Sequence, residues 1–216
     1  MTARPLADVP VSRDVGEARV LHAGRIFDVR SESVDLGQGG VVTREFVDHP
    51  GAVAVVVLDE DDRVLLLHQY RHPVRRELWE PPAGLLDVDG EDAQAAAARE
   101  LLEEADLRAG RWGVLADYYT SPGASNEALR VFLARDLSPV PEAERHEREA
   151  EELGMELRWV PLDEAVTAVL AGDLHNPSAV VGILAAAASR ASGWSTLRPA
   201  DSPWPERRGG DPQLGR

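Results

Sequence analysis

The stretch that decides the fold is Gly84-Leu-Leu-Asp-Val-Asp-Gly-Glu91, followed after seven residues by Arg99-Glu100-Leu101-Leu102-Glu103-Glu104. Alanines at 93 and 95–98 give the intervening segment strong helix propensity. Asp89, Glu91 and Asp92 stand where the start of a helix favours negative charge. The sequence therefore predicts a helix over residues 91–107. With about 100° of rotation per residue, Glu100, Glu103 and Glu104 share an arc of roughly 100°. Three carboxylates on one face repel one another, and the cluster becomes favourable when divalent cations sit among them. An oxygen-rich, anionic set suits Mg²⁺ or Mn²⁺. The alternative is an ordinary solvated helix face. Two features weigh against it: the acids are confined to the end of the helix, after an alanine-rich turn, and a glycine loop leads into the helix, where backbone can approach a ligand closely.

Working outward, residues 25–34, 41–47 and 52–58 read as strands. The last of these, AVAVVVL, is a continuous apolar run of the kind buried on both faces of a sheet. Residues 59–62 form a hairpin turn and residues 63–70 return as a strand. Two prolines make residues 78–84 a constrained extended loop. Downstream, residues 112–119 and 128–134 read as strands flanking a loop over 120–127. A charged connection over 138–154 leads to a short strand at 155–160, then helices at 162–171 and 177–191, with Asn176 placed to cap the second. Residues 1–20 read as a partly disordered arm, 21–193 as the domain, and 194–216, rich in Pro, Gly and charge, as a disordered tail.

Composition narrows the function classes. The chain has 216 residues and a formal net charge of −15, and 44% of its residues are hydrophobic. That is enough apolar material for a core in one globular domain. The absence of cysteine excludes disulfides, thiolate metal sites and a cysteine nucleophile. All 23 basic residues are arginine, which excludes lysine Schiff-base chemistry and a Walker lysine. The acidic balance speaks against nucleic acid as a partner. No apolar run approaches the roughly 20 residues of a membrane span, and the N-terminal segment lacks a signal-like apolar stretch, so a cytoplasmic protein is expected.

The decisive stretch resembles the box of the Nudix hydrolases: Gly, five residues, Glu, seven residues, Arg-Glu-aliphatic-x-Glu-Glu-x-Gly-aliphatic. Gly84, Glu91, Arg99, Glu100, Leu101, Glu103, Glu104 and Leu107 match. Two positions depart from it. Six residues, not five, separate Gly84 from Glu91, and Asp106 stands where glycine ends the helix. Asp enters the left-handed region more readily than most residues, which is compatible with a C-cap. The resemblance implies a Nudix fold, an α/β/α sandwich around a mixed sheet. It implies Glu100 and Glu104 as principal metal ligands, with Glu103 and the Ala83 carbonyl contributing. Arg99 would orient the glutamates through charge-assisted hydrogen bonds, a role compatible with a plain i,i+4 pair to Glu103. Glu91 is open between a helix-start acid and a functional residue.

The flanks resemble the ADP-ribose pyrophosphatase branch. Thr120-Ser-Pro-Gly-Ala-Ser-Asn-Glu127 follows the box, and implies substrate roles for Pro122, Gly123 and Glu127. Gln69-Tyr70-Arg71 and Trp79-Glu80-Pro-Pro-Ala-Gly84 match further segments of that branch. They imply that Arg71 grips a phosphate or a ribose hydroxyl and that Glu80 holds substrate or metal. Arg44-Glu45 resembles a pair that binds the adenine side across a dimer interface, with residues 21–48 as the dimerisation strands. Phe27 is a candidate for stacking on adenine, against a core role.

The resemblance implies Mg²⁺-dependent hydrolysis of ADP-ribose to AMP and ribose 5-phosphate by a homodimer. The base would come from the acidic loop before the strand at 155–160, at Glu151 or Glu152. Alternatives are another nucleoside diphosphate sugar as substrate, a sensor that binds ADP-ribose without cleaving it, and an acidic interaction protein.

Overall fold

The computed structural model describes residues 5–146 and 154–207. Two compact units divide the chain: Met1–His49 with Ser121–Asn126, and Pro50–Thr120 with Glu127–Arg216.

The first unit is an antiparallel sheet of β1 (Val15–Ala23), β2 (Asp28–Asp35) and β3 (Val41–Asp48) in that order. β2 begins three residues later than the sequence suggested, because Gly24 to Phe27 form a turn closed by a 3.1 Å backbone hydrogen bond. β1 was not foreseen, and residues 15–20, assigned to the arm, belong to it. Its sequence, VGEARVLHA, has no alternation that separates one face from the other, and none of its residues is buried. Residues 124–126 lie along the end of β3: Val47 N–H donates to the Ala124 carbonyl, and Asn126 N–H donates to the Val47 carbonyl.

The second unit is built on β4 (Ala52–Val57), β5 (Arg63–Arg71), β6 (Arg76–Glu80), β7 (Ala83–Leu85), α1 (Ala93–Ala105), β8 (Leu107–Tyr119), β9 (Ala128–Pro139), β10 (Glu156–Pro161), α2 (Leu162–Ala171), α3 (Pro177–Ala191) and β11 (Arg198–Pro199). One sheet runs β11-β8-β9-β4-β7 and a smaller one β10-β5-β6. The β4–β9 pair is parallel and the other pairs are antiparallel, so the larger sheet is mixed.

β4 explains the layering. Every residue in it is buried, and successive side chains of a strand point to opposite faces. Val53, Val55 and Val57 join Ala96, Ala97 and Leu101 of α1 in one core. Ala52, Ala54 and Val56 join Leu162 and Ala165 of α2 and Ala179, Ile183 and Ala186 of α3 in the other. The expected α/β/α sandwich with a mixed sheet is what the chain forms. α3 comes close to the sheet at Gly182, where an added Cβ would stand 2.7 Å from Val56 Cγ2. Asn176 caps α3 by accepting from Ala179 N–H at 2.9 Å.

Three expectations need correction. The strand after the 59–62 turn leaves the sheet of β4 and pairs with β10 and β6. The proline segment expected as a loop contains two short strands, β6 and β7, on either side of Pro81 and Pro82. Pro82 lacks a donor, but its carbonyl accepts from Val55 N–H at 2.8 Å, so the kinked segment still joins the sheet.

Residues 194–207, expected to be disordered, pack against the sheet instead. Trp194 and Leu197 pack on the α2/α3 side of the sheet, β11 extends its edge, and Ala200 and Trp204 pack on the α1 side. The aromatic and aliphatic residues hidden among the prolines supply that anchorage. No helix among the described residues is long and apolar enough to cross a membrane.

Candidate active site

α1 starts and stops where its side chains dictate. Asp92, in extended conformation, accepts from the N–H groups of Gln94 and Ala95, which satisfies two donors at the helix start. Asp106 adopts the left-handed conformation at φ 54° and ψ 36°, and its N–H reaches back to the carbonyls of Leu101 and Leu102. The C-cap thus forms with aspartate where the box has glycine. The extra residue before Glu91 is absorbed in a turn: Glu91 N–H donates to the Val88 carbonyl, and Gly90 takes φ +79°.

Arg99 is the hub of the site. Its Nε and Nη2 donate to the two carboxylate oxygens of Glu91 at 3.1 and 3.0 Å. Its Nη1 donates to Glu100 Oε1 at 2.6 Å and stands 3.5 Å from Glu103 Oε2. The hydrogen bond to Glu91, above all, holds the guanidinium more firmly protonated than usual, against the opposing effect of its own burial. Glu91, just before the start of the helix, is therefore the anchor of Arg99. The i,i+4 contact with Glu103 coexists with the grip on Glu100.

Glu100 is buried, and burial pushes its carboxyl above the ordinary value, opposed by Arg99 and reinforced by Glu103. Glu104, one turn along, accepts from Ala83 N–H at 2.9 Å and so ties α1 to β7. Gly84 lies directly against Glu100: a Cβ there would fall 1.9 Å from Glu100 Oε1 and 2.0 Å from its Cδ. The structure thus brings Ala83, Gly84, Glu91, Arg99, Glu100, Glu103 and Glu104 together.

The chemistry of the set fits a hard divalent cation: Glu100, Glu103 and Glu104 offer carboxylate oxygens from one turn of α1, with Glu100 buried against Gly84. Among the described residues no three acidic or histidine side chains already converge as a ligand set. Arg99 draws Glu100 and Glu103, while the Ala83 amide holds Glu104.

Other candidates fall around this helix or elsewhere in the chain. Arg71 and Glu80 face each other across β5 and β6 in a fork: Arg71 Nε reaches both Glu80 oxygens at 3.0 and 3.1 Å, and Nη2 reaches Oε2 at 2.7 Å. Glu80 is 2% exposed, which makes this arginine its counter-ion. In the second unit, Thr120 and Glu127 close their loop through a 2.6 Å bond from Thr120 Oγ1 to Glu127 Oε2. In the first unit, Pro122 and Gly123 are exposed, as are Arg44 and Glu45 on β3. Phe27 is 43% exposed and so is not a core residue. Glu151 and Glu152 lie outside the described residues.

Sequence reasoning missed a second charged centre. Arg130, 2% exposed on β9, forks onto Asp117 at 2.7 and 3.0 Å and lies 4.7 Å from the centre of the Trp204 ring. The available signal was one arginine inside the apolar strand ALRVFLA, which needs a buried partner.

Known proteins are similar to this chain in sequence and in fold. The family model described as NUDIX domain matches residues 48–180, a span that contains β4, β7, α1 and α2. The chain is 45% identical over 190 residues to the ADP-ribose pyrophosphatase of Mycobacterium tuberculosis, covering 88% of this chain and 90% of that protein. It is 34% identical over 163 residues to the ADP-ribose pyrophosphatase of Bacillus subtilis, covering 76% of this chain and 86% of that protein. The crystal structure of an ADP compounds hydrolase has the same fold, with a TM-score of 0.63 and 20% identity over 87% of this chain and 99% of that one. With the box folded as one helix against its glycine loop, and relatives matched over most of their length, the chain belongs to the Nudix hydrolase family.

Proposed function

We propose that this chain hydrolyses the pyrophosphate bond of ADP-ribose to AMP and ribose 5-phosphate, with Mg²⁺ as the working ion and Mn²⁺ able to replace it. The observation that carries the reading is the 45% identity, over nine-tenths of its length, to a protein named ADP-ribose pyrophosphatase. The carboxylate helix packed on the Gly84 loop supplies the matching chemistry.

Glu100, Glu104 and the Ala83 carbonyl, assisted by Glu103, are the groups that would hold the ion. When bound, a divalent ion neutralises phosphate charge and acidifies a coordinated water. Arg99 orients Glu100 and Glu103, and Glu91 orients Arg99. Arg71, fixed by Glu80 yet 42% exposed at its side chain, meets the diphosphate or a ribose hydroxyl. The 120–127 loop would contribute Pro122, Gly123 and Glu127 to substrate binding, and Arg44 and Glu45 would take the adenine side across the dimer interface. Water attacks the adenosyl phosphorus, Glu151 or Glu152 takes its proton, and the bridging P–O bond breaks toward the terminal ribose phosphate.

The test is AMP release from ADP-ribose beside ADP-glucose, diadenosine polyphosphates and NADH, with Mg²⁺ and with EDTA. Hydrolysis strongest with ADP-ribose and abolished by EDTA is expected. Preference for another diphosphate would move the substrate. Tight ADP-ribose binding with no turnover would replace the enzyme with a sensor.

We further propose a cytoplasmic homodimer, with no nucleic acid as partner, assembled through the first unit. A nine-residue strand with no buried residue contributes nothing to a core, while Val20, Leu21, Ile26 and Phe27 stay exposed. Sedimentation should give twice the chain mass, and Leu21→Glu should shift it toward one chain mass. A monomeric wild type at micromolar concentration would refute the dimer.

A further inference from the structure

The second charged centre and the start of the carboxylate helix are joined by one stretch of chain. After β11, residues 200–207 run along the α1 side of the second unit, where Ala200 and Trp204 pack with Ala96, Ala97 and Leu101. Arg130 holds this stretch from beneath: beyond its fork to Asp117, Nη1 donates to the Ser202 carbonyl at 2.8 Å and Nη2 to the Pro203 carbonyl at 3.2 Å. Arg198 Nη1 adds a 2.7 Å bond to Asp117 Oδ2, the oxygen that Arg130 Nη2 also reaches. Asp117 is thus shared by two arginines, one on β9 and one on the edge strand β11.

At the end of this stretch, Arg207 Nη2 donates to the backbone carbonyl of Glu91 at 3.0 Å, across 116 residues of sequence. Glu91 immediately precedes Asp92, the cap of α1, and its own side chain forks onto Arg99. A bond to the Glu91 carbonyl fixes the peptide from which that carboxylate reaches out. Arg99 in turn holds Glu100 at 2.6 Å. A short path therefore runs from Arg207 through Glu91 and Arg99 to Glu100, every link a charge-assisted hydrogen bond. The loop before Glu91, lengthened by one residue, has little packing of its own: residues 87–90 are all exposed.

We propose that residues 198–207 are a strap that sets the start of α1, with Arg207 as a positioning residue for the reaction. The proposal rests on the hydrolase reading for its kinetic consequence. Its structural consequence stands without it.

Backbone amide exchange in the metal-free full chain, together with steady-state kinetics, tests it on Arg207→Ala, Arg207→Lys and Trp204→Ala. Arg207→Ala should speed exchange at Glu91, Gln94 and Ala95 about tenfold, with β4 and β9 unchanged. It should lower kcat about fivefold with little change in KM, the size expected from one lost hydrogen bond. Arg207→Lys, which keeps a charged donor, should recover at least about half of the loss. Trp204→Ala should reproduce the exchange signature by releasing the strap at its anchor. Exchange at Glu91, Gln94 and Ala95 equal to wild type in both alanine variants would overturn the proposal. So would a uniform acceleration over the whole unit, which marks general destabilisation instead. If the wild type cleaves no ADP-ribose, the functional reading fails, while the exchange result still decides the strap.

Discussion

Glu104→Gln is expected to lower kcat for ADP-ribose by about 10³-fold or more, equivalent to about 4 kcal/mol of transition-state stabilisation. The substitution removes charge and little else. Glutamine keeps the length of the side chain and an amide oxygen able to accept from Ala83 N–H, the bond that now ties α1 to β7 at 2.9 Å. Folding should therefore survive, with a melting temperature within about 2 °C of wild type, since surface or half-buried isosteric changes cost little. A neutral oxygen is a far poorer ligand for Mg²⁺ than a carboxylate. Kinetics at rising Mg²⁺, with thermal melts beside them, check this. A variant that keeps wild-type kcat would remove Glu104 from the ion site and throw the assignment back on Glu100 and Glu103.

Gly84→Ala is expected to be nearly as severe for a different reason. Its added methyl would occupy the space of the Glu100 carboxyl, at 1.9 Å from Oε1 and 2.0 Å from Cδ. The backbone cannot retreat freely, because Val53 pairs with Gly84 in the sheet and Ala83 is held by Glu104. Glu100 must therefore turn away and give up its 2.6 Å bond with Arg99. The stability cost of such overpacking is about 1–3 kcal/mol. Misplacing a ligand by about an ångström costs on the order of 10²-fold in rate. Titration of Mn²⁺ binding should show weakened affinity in the folded variant. Wild-type affinity and rate together would mean that Glu100 is not a ligand.

The sequence carried α1 and its acids because they are local: helix propensity, an N-cap aspartate and glutamates three and four residues apart are all read within twenty residues. The departures from the box were also readable, since Asp106 has the one backbone conformation the C-cap needs. What stayed hidden depends on partners far along the chain. Arg71 and Glu80 each looked like a group for substrate or metal, and nothing in their spacing announced that β5 and β6 would lock them into a fork. β1 was invisible because burial writes the alternation that identifies a strand, and β1 buries nothing. The 194–207 segment has a loop-like composition, and its order comes from Trp204 and a buried arginine more than seventy residues earlier.

β4 has a consequence for how such a chain can change over time. A strand with one wet face offers neutral positions where substitutions accumulate. β4 offers none, because its two faces belong to two different cores. A larger side chain at Val55 has to be matched by a smaller one on α1, and a change at Val56 has to be matched near Gly182 on α3. Divergence there proceeds by exchange between layers, so the strand between the two helical layers should be the slowest-drifting part of the core and α1 and α3 should vary in concert with it.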